Sequence, residues 1–139
     1  LNIISPNNNC HDHFFRDQSF TSGSCMQTHN ESNPYWRVDL SQSYPISRVK
    51  IYNRADCCGE NLHNFYVGVS EVAVSGRPSP GAYDLCKPQT IEPLTDGQII
   101  TIECDPGLKG RYVYIQIEGM YEVLSLCEVE VNEAGTCLL

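Results

Sequence analysis

Two adjacent cysteines, Cys57 and Cys58, stand in a chain that carries eight cysteines among 139 residues. An even number at this density is that of a disulfide framework, which forms and persists in oxidising compartments, so a secreted, extracellular protein is expected. A zinc site needs clustered Cys-x-x-Cys or Cys/His spacings. Here the thiols are scattered from Cys10 to Cys137 and only the adjacent pair is close in sequence, which argues against zinc. If Cys57 and Cys58 bond to each other, they close an eight-membered ring across α-carbons about 3.8 Å apart, below the usual disulfide span. Such a ring is strained and rigid, a small apolar plate. The alternative is that each bonds a distant partner, and the spacing leaves both open.

The length suits one hydrophobic core, so a single domain over residues 1–139 is expected. Nine Lys+Arg against seventeen Asp+Glu give a formal net charge of -8, and no basic stripe interleaved with aromatics occurs, which argues against a nucleic-acid partner. No apolar run approaches the roughly 18 residues needed to cross a bilayer, so no membrane insertion is expected. Leu1-Asn2-Ile3-Ile4 is too short for a signal-peptide core, and the numbering is expected to start on a mature or trimmed chain. Asn30-Glu31-Ser32 is an N-glycosylation sequon in a polar stretch, in keeping with secretion.

Through Pro34 the chain is polar and irregular, read as loops around short strands. Period-two alternation of β-branched and aromatic residues then predicts strands over Trp36–Leu40, Ile46–Asn53, Asn64–Ser70, Ile99–Cys104, Arg111–Ile117 and Leu126–Asn132. In the last, Cys127, Val129 and Val131 alternate with Glu128 and Glu130, so one face is expected to point inward. Gly76 to Gly81, Asp96-Gly97, Asp105-Pro106-Gly107 and Lys109-Gly110 supply turns. Short strands at this spacing, without helical pattern between them, predict an all-β antiparallel sandwich or jelly roll with little helix.

Asn53-Arg54-Ala55-Asp56-Cys57-Cys58-Gly59-Glu60-Asn61 falls where a buried strand ends, and loops at the end of a sandwich are where sites form. Arg54 offers a rigid fork of donors that ring hydroxyls accept, Asp56 would fix that fork, and a Cys57–Cys58 plate would receive the apolar face of a sugar. The guanidinium is expected to be open to solvent. The plainer alternative for Arg54 and Asp56 is a solvated ion pair.

The string Asn33-Pro34-Tyr35-Trp36-Arg37-Val38-Asp39-Leu40, the Asn53 to Glu60 stretch, Gly110-Arg111-Tyr112-Val113 and Leu126-Cys127-Glu128-Val129-Glu130-Val131, in this order, resemble the fucolectin (F-type lectin) family. The resemblance runs from about Arg16 to Asn132. It implies an eight-stranded, disulfide-stapled antiparallel jelly roll of the discoidin-like, galactose-binding-domain-like type. It also implies a role in recognising terminal L-fucose on glycans or glycoproteins, often in innate immunity. The pairing it implies is Cys25 with Cys127, Cys57 with Cys58, and Cys86 with Cys104. Cys10 and Cys137 remain and are expected to bond to each other.

The family holds fucose with a histidine, the arginine of the Arg-x-Asp-Cys-Cys segment and a second basic residue. Only Arg54 matches directly. Gln27 falls at the histidine position and Asn61 at the second basic one, so the binding triad is altered and the monosaccharide preferred is open between fucose and a relative such as galactose. His29 would take the missing role if the loop is rearranged; an exposed histidine that is merely solvated is the alternative. Phe20 and Thr21 fall near the family's patch for the fucose methyl group, although Phe20 reads equally well as a core aromatic.

The family also holds a structural calcium ion. Ser24 and Glu128 match two of its ligand positions, while the early loop departs from the pattern, so Asp12 or Asp17 would have to complete the set after a shift. A Cys10–Cys137 bond in place of the ion is the alternative. His11-x-His13 would put two imidazoles on one strand face, but no further metal ligand is evident nearby.

An enzyme is not expected, because no pair of carboxyls or nucleophile with its base is specified. The rival to a lectin is a protein-interaction module of the same fold that has lost sugar binding. A homo-oligomer or a tandem-domain parent fits a lectin with one weak site, because multivalency supplies avidity.

Overall fold

The computed structural model describes residues 25–80, 82–134 and 136–138. The expected Cys10–Cys137 bond lies outside the described residues because Cys10 does, as do Asp12, Asp17, His11, His13, Phe20, Thr21 and Ser24.

The described chain is built of strands β1 (Met26–Gln27), β2 (Tyr35–Pro45), β3 (Arg48–Tyr52), β4 (Phe65–Ser70), β5 (Asp84–Leu85), β6 (Ile99–Glu103), β7 (Lys109–Ile117), β8 (Ser125–Leu126), β9 (Glu128–Glu133) and β10 (Thr136–Cys137), with one 3-10 turn over Gly59–Asn61. They form two four-stranded antiparallel sheets, in the orders β10-β9-β3-β6 and β2-β7-β4-β5, and a two-stranded ribbon of β1 and β8. The all-β antiparallel sandwich expected from the alternation is therefore the fold.

Register aligns the apolar rows. Val49 of β3 lies between Ile102 and Val131, and Ile51 between Ile100 and Val129. In the other sheet Val113 of β7 lies between Val38 and Val69, and Ile115 between Trp36 and Val67. Val38, Val49, Ile51, Val67, Val69, Val113, Ile115, Val129 and Val131 belong to one buried cluster with Leu40, Phe65, Ile117 and Leu124, and Trp36, Ile100 and Ile102 pack against it half-buried. Burial of each such side chain contributes about 1.5–3 kcal/mol, so the shared core is what holds the layers together.

Cys86 follows β5 and Cys104 follows β6, and their disulfide ties one sheet to the other inside that core. Cys25 and Cys127 bond across 102 positions of sequence and lock the start of the ribbon to the segment between β8 and β9.

Three local features differ from the alternation reading. β2 continues to Pro45 through a register shift between Asp39 and Tyr44, where Ser41 takes a φ of 75° and its N–H donates to Asp39 Oδ1. A bulge of this kind breaks period two, which is why the second half of the strand does not read as one. β1, β5 and β10 are two residues each, too short to carry a periodic signal. Finally, the polar face of β9 is not open to water, since Glu128, Glu130 and Asn132 are all buried. Tyr52 lies across it from β3 and donates its hydroxyl to Glu130 Oε1 at 2.9 Å, with Lys50 Nζ 5.2 Å from the Tyr52 ring centre.

Candidate functional site

The candidate site forms where β3 ends. The backbone carbonyl of Tyr52 accepts from the N–H of Cys127, and Cys127 carries Cys25 through its disulfide. Two residues on from Cys25 is Gln27, and two residues on from Tyr52 is Arg54, so the cross-link carries both side chains to one place. There Arg54 Nη1 donates to Gln27 Oε1 at 2.8 Å. Arg54 Nε and Nη2 donate to the two oxygens of Asp56 at 2.7 and 3.1 Å, a two-pronged charge-assisted pair. Ser125 on β8 adds its hydroxyl to the same Gln27 oxygen at 3.2 Å.

The backbone around Arg54 is clamped to the loop before β6. Asn53, itself buried, donates from Nδ2 to the carbonyls of Gly59 and Thr95. The Arg54 carbonyl accepts from Gly97 N–H at 2.7 Å, and the Gly59 N–H donates to Asp96 Oδ1 at 2.7 Å. A side chain at position 59 would meet the backbone of Asp96 and Thr95 at 2.6 Å, so only glycine permits this approach. Gly97, at a φ of +71°, supplies the left-handed turn that faces Ala55.

Cys57 and Cys58 are bonded to each other, half-buried, and follow directly on Asp56. Cys58 takes a φ of 63° and leads into the 3-10 turn, where the Asn61 N–H donates to the Cys58 carbonyl. Half-buried Asn61 thus stands one turn beyond the ring, and among the described residues no hydrogen bond joins its side chain to Arg54. His29 is exposed on the ribbon beyond Gln27, and within the described residues it makes no side-chain hydrogen bond to Gln27 or Arg54.

The structure corrects the expectation that the guanidinium projects into solvent. The side chain of Arg54 is 10% exposed and that of Asp56 is 19% exposed, so the pair is neither a solvated surface bridge nor an extended arm. Among the described residues, Asp56 holds two nitrogens of the guanidinium and Gln27 of the β1 to β8 ribbon holds the third. Arg54 is instead a buried side chain held by its neighbours. Its hydrogen bonds to Asp56 raise its pKa above the ordinary arginine value against the opposing effect of burial, and Asp96 adds further attraction.

Sequence reasoning did not anticipate Ser125, Asn53, Asp96 or Gly59 as supports. Asp96-Gly97 is visible as a turn, but only the fold places that turn against the Arg54 backbone.

Three comparisons bear on this arrangement. A family model described as a NedA-like, galactose-binding domain matches residues 9–115. The chain is 40% identical over 118 residues to Fucolectin-1 of Anguilla japonica, covering 84% of this chain and 62% of that protein. It is 38% identical over 118 residues to Fucolectin of Anguilla anguilla, covering 84% and 70%. In three dimensions it is similar to the crystal structure of an F-lectin (fucolectin) from Morone saxatilis serum, with a TM-score of 0.75 and 34% identity over 86% of this chain and 39% of that one. The chain thus spans only part of the length of these relatives.

Proposed function

Because the chain belongs to the fucolectin (F-type lectin) family, we propose that it is an extracellular carbohydrate-binding lectin that takes a terminal fucose, or a monosaccharide related to it, at the Arg54 site. The observation that carries this reading is the bonded cluster of Arg54, Asp56 and Gln27 standing directly before the Cys57–Cys58 ring.

The chemistry follows from which atoms are already used. Arg54 and the Ser125 hydroxyl both donate to Gln27, so the atom they share must be the amide oxygen, and the Gln27 NH2 group turns away from them. Gln27 is exposed, so this NH2 is a fixed donor at the surface of the site. A sugar hydroxyl would accept from it while the apolar face of the ring packs on the Cys57–Cys58 plate and Asn61 meets the rim. This is the altered triad: a neutral amide held by Arg54 in place of histidine, and a second amide in place of a cation. Neutral hydrogen bonds contribute about 1 kcal/mol each against about 1.5–3 for charge-assisted ones, so a single site would be modest in affinity. A homo-oligomer or tandem domains would supply the avidity a glycan receptor needs. Phe20 and Thr21, outside the described residues, are by the family resemblance the candidates for contact with a fucose methyl group.

Calcium belongs to the same reading as a structural ion, held by Glu128 with Ser24 and Asp12. Glu128 supports it, since this carboxyl-bearing residue at the start of β9 is 8% exposed, and calcium takes oxygen ligands of that kind. Within the described residues no three His, Cys, Asp or Glu side chains gather as a metal site, and Ser24 and Asp12 lie outside them. The ion would staple the early loop to the start of β9. A chelator is expected to lower the melting temperature by several degrees; an unchanged value would leave the staple to the disulfides.

A glycan array tests the proposed function. Retention on fucosylated glycans, or on a closely related terminal sugar, is the expected result. An array without signal would instead favour an interaction module that kept the fold and lost the sugar.

A further inference from the structure

Beyond β1 the chain continues as one side of a ladder whose tip carries two features the sugar site does not use. Glu31 and Glu122 exchange both backbone hydrogen bonds at 3.0 Å, the Ser32 hydroxyl donates to the Met120 carbonyl at 3.0 Å, and the Asn33 N–H donates to the Gly119 carbonyl at 2.8 Å. Side chains on one face of this tip are anchored to the body of the protein. Glu31 is paired with Arg77 at 2.7 Å, and Glu122 with His63 at 2.9 Å. Arg77 also donates to the Ser32 carbonyl.

Other side chains of the tip are exposed. Asn30 precedes Glu31 and Tyr121 precedes Glu122 in sequence, so the Glu31–Glu122 bridge brings the two segments that carry them side by side. Asn30 is exposed, as is Ser32 of its Asn30-Glu31-Ser32 sequon. Tyr121 is 80% exposed and Met120 71% exposed, two adjacent large apolar side chains with no cover. Single exposed apolar residues need no explanation, but a contiguous pair beside an acceptor asparagine does.

We propose that Asn30 carries an N-linked glycan whose first sugar packs against Tyr121. The covalent step uses a polyisoprenyl-diphosphate-linked oligosaccharide and the transferase of the secretory pathway. The Asn30 side-chain nitrogen forms a bond to the anomeric carbon, the diphosphate leaves with the electron pair of the broken C–O bond, and the amide proton passes to a base of the transferase. The attached sugar is neutral and has one apolar face, which suits an aromatic ring set among glutamates that already have partners. This proposal rests on the extracellular reading above, since the transfer occurs only on chains that enter the secretory pathway.

The test begins with the secreted protein isolated from its natural source. Peptide-N-glycosidase digestion in 18O-water, read by mass spectrometry, is expected to convert Asn30 to 18O-labelled aspartate. An unmodified Asn30 peptide from protein with its disulfides formed overturns the proposal while leaving the extracellular reading intact; a protein recovered with reduced cysteines overturns that reading instead. The second arm measures Asn30→Gln, Tyr121→Ala and the double variant, all expressed through a secretory pathway. Tyr121→Ala is expected to lower Tm by a few degrees in the glycosylated protein and to leave it unchanged in the Asn30→Gln background. Equal shifts in both backgrounds contradict the packing. Loss of oligosaccharide binding on Tyr121→Ala in the Asn30→Gln background would assign Tyr121 to the bound ligand and contradict it too.

Discussion

Arg54 Nη1 donates to Gln27 Oε1 at 2.8 Å, so a residue of the β3 to β4 loop fixes the amide of a residue on the ribbon, 27 positions earlier in the sequence. The amide is thereby oriented before any sugar arrives, and the entropy of ordering it is already lost in folding. The donor that Gln27 offers is fixed by its neighbour.

Gln27→Glu separates these two roles. A glutamate keeps an acceptor for Arg54 and for the Ser125 hydroxyl but replaces the outward NH2 with oxygen. Sugar affinity is expected to fall about fivefold, the equivalent of one neutral hydrogen bond of about 1 kcal/mol, while Tm stays level or rises. Calorimetric titration and thermal melts read the two effects independently.

Arg54→Ala is not a silent change in stability, contrary to what an arginine in solvent would predict. Its side chain is 10% exposed and makes three hydrogen bonds to Asp56 and Gln27. Removing it leaves the Asp56 carboxylate and the Gln27 oxygen without these donors, and a loss of about 2 kcal/mol is expected in denaturant unfolding, together with loss of sugar binding.

How much of this was legible follows from how each contact is made. Arg54, Asp56, Cys57 and Cys58 are consecutive or nearly so, and a contiguous loop at a strand end can be read from sequence as a candidate site. The alternation in β3, β4, β6, β7 and β9 was legible for the same reason, because period two is a local signal. Gln27 was found only through the family resemblance. The burial of Arg54 and the roles of Ser125, Asn53 and Asp96 were not legible, since each depends on how the Cys25–Cys127 bond and the loop over residues 95–98 meet the end of β3. Contacts set by long-range register leave no trace in the spacing of residues.

The Cys25–Cys127 bond closes most of the described chain into one loop. Replacing both cysteines with serine is expected to lower stability by about 4 to 5 kcal/mol less any native strain. Because Gln27 reaches Arg54 through this bond, sugar binding should weaken in the same variant even under conditions where it stays folded. Denaturant unfolding and sugar titration check the two consequences.

Asp39 receives two hydrogen bonds from Arg111, which hold its carboxyl at about 2 against an ordinary 3.8. A lowered folded pKa stabilises the protein above the unfolded value and loses that contribution as pH falls through the folded one. The stability difference between the natural protein and Asp39→Asn should therefore be full above pH 4 and shrink between pH 3.8 and about 2. Both side chains are about two-fifths exposed, so the difference should stay below about 1 kcal/mol. Denaturant unfolding across that pH range checks the sign.

The most direct measurement is a titration of L-fucose, and of D-galactose beside it, into the natural protein and into Arg54→Lys, with circular dichroism verifying that both are folded. Lysine keeps the charge but cannot hold Asp56 and Gln27 with one planar fork. Saturable binding to the natural protein that disappears in the lysine variant is the outcome expected here. Equal affinity in both proteins would place the sugar elsewhere, and the absence of saturable binding of either sugar to the natural protein would contradict the assignment of this cluster as a carbohydrate site.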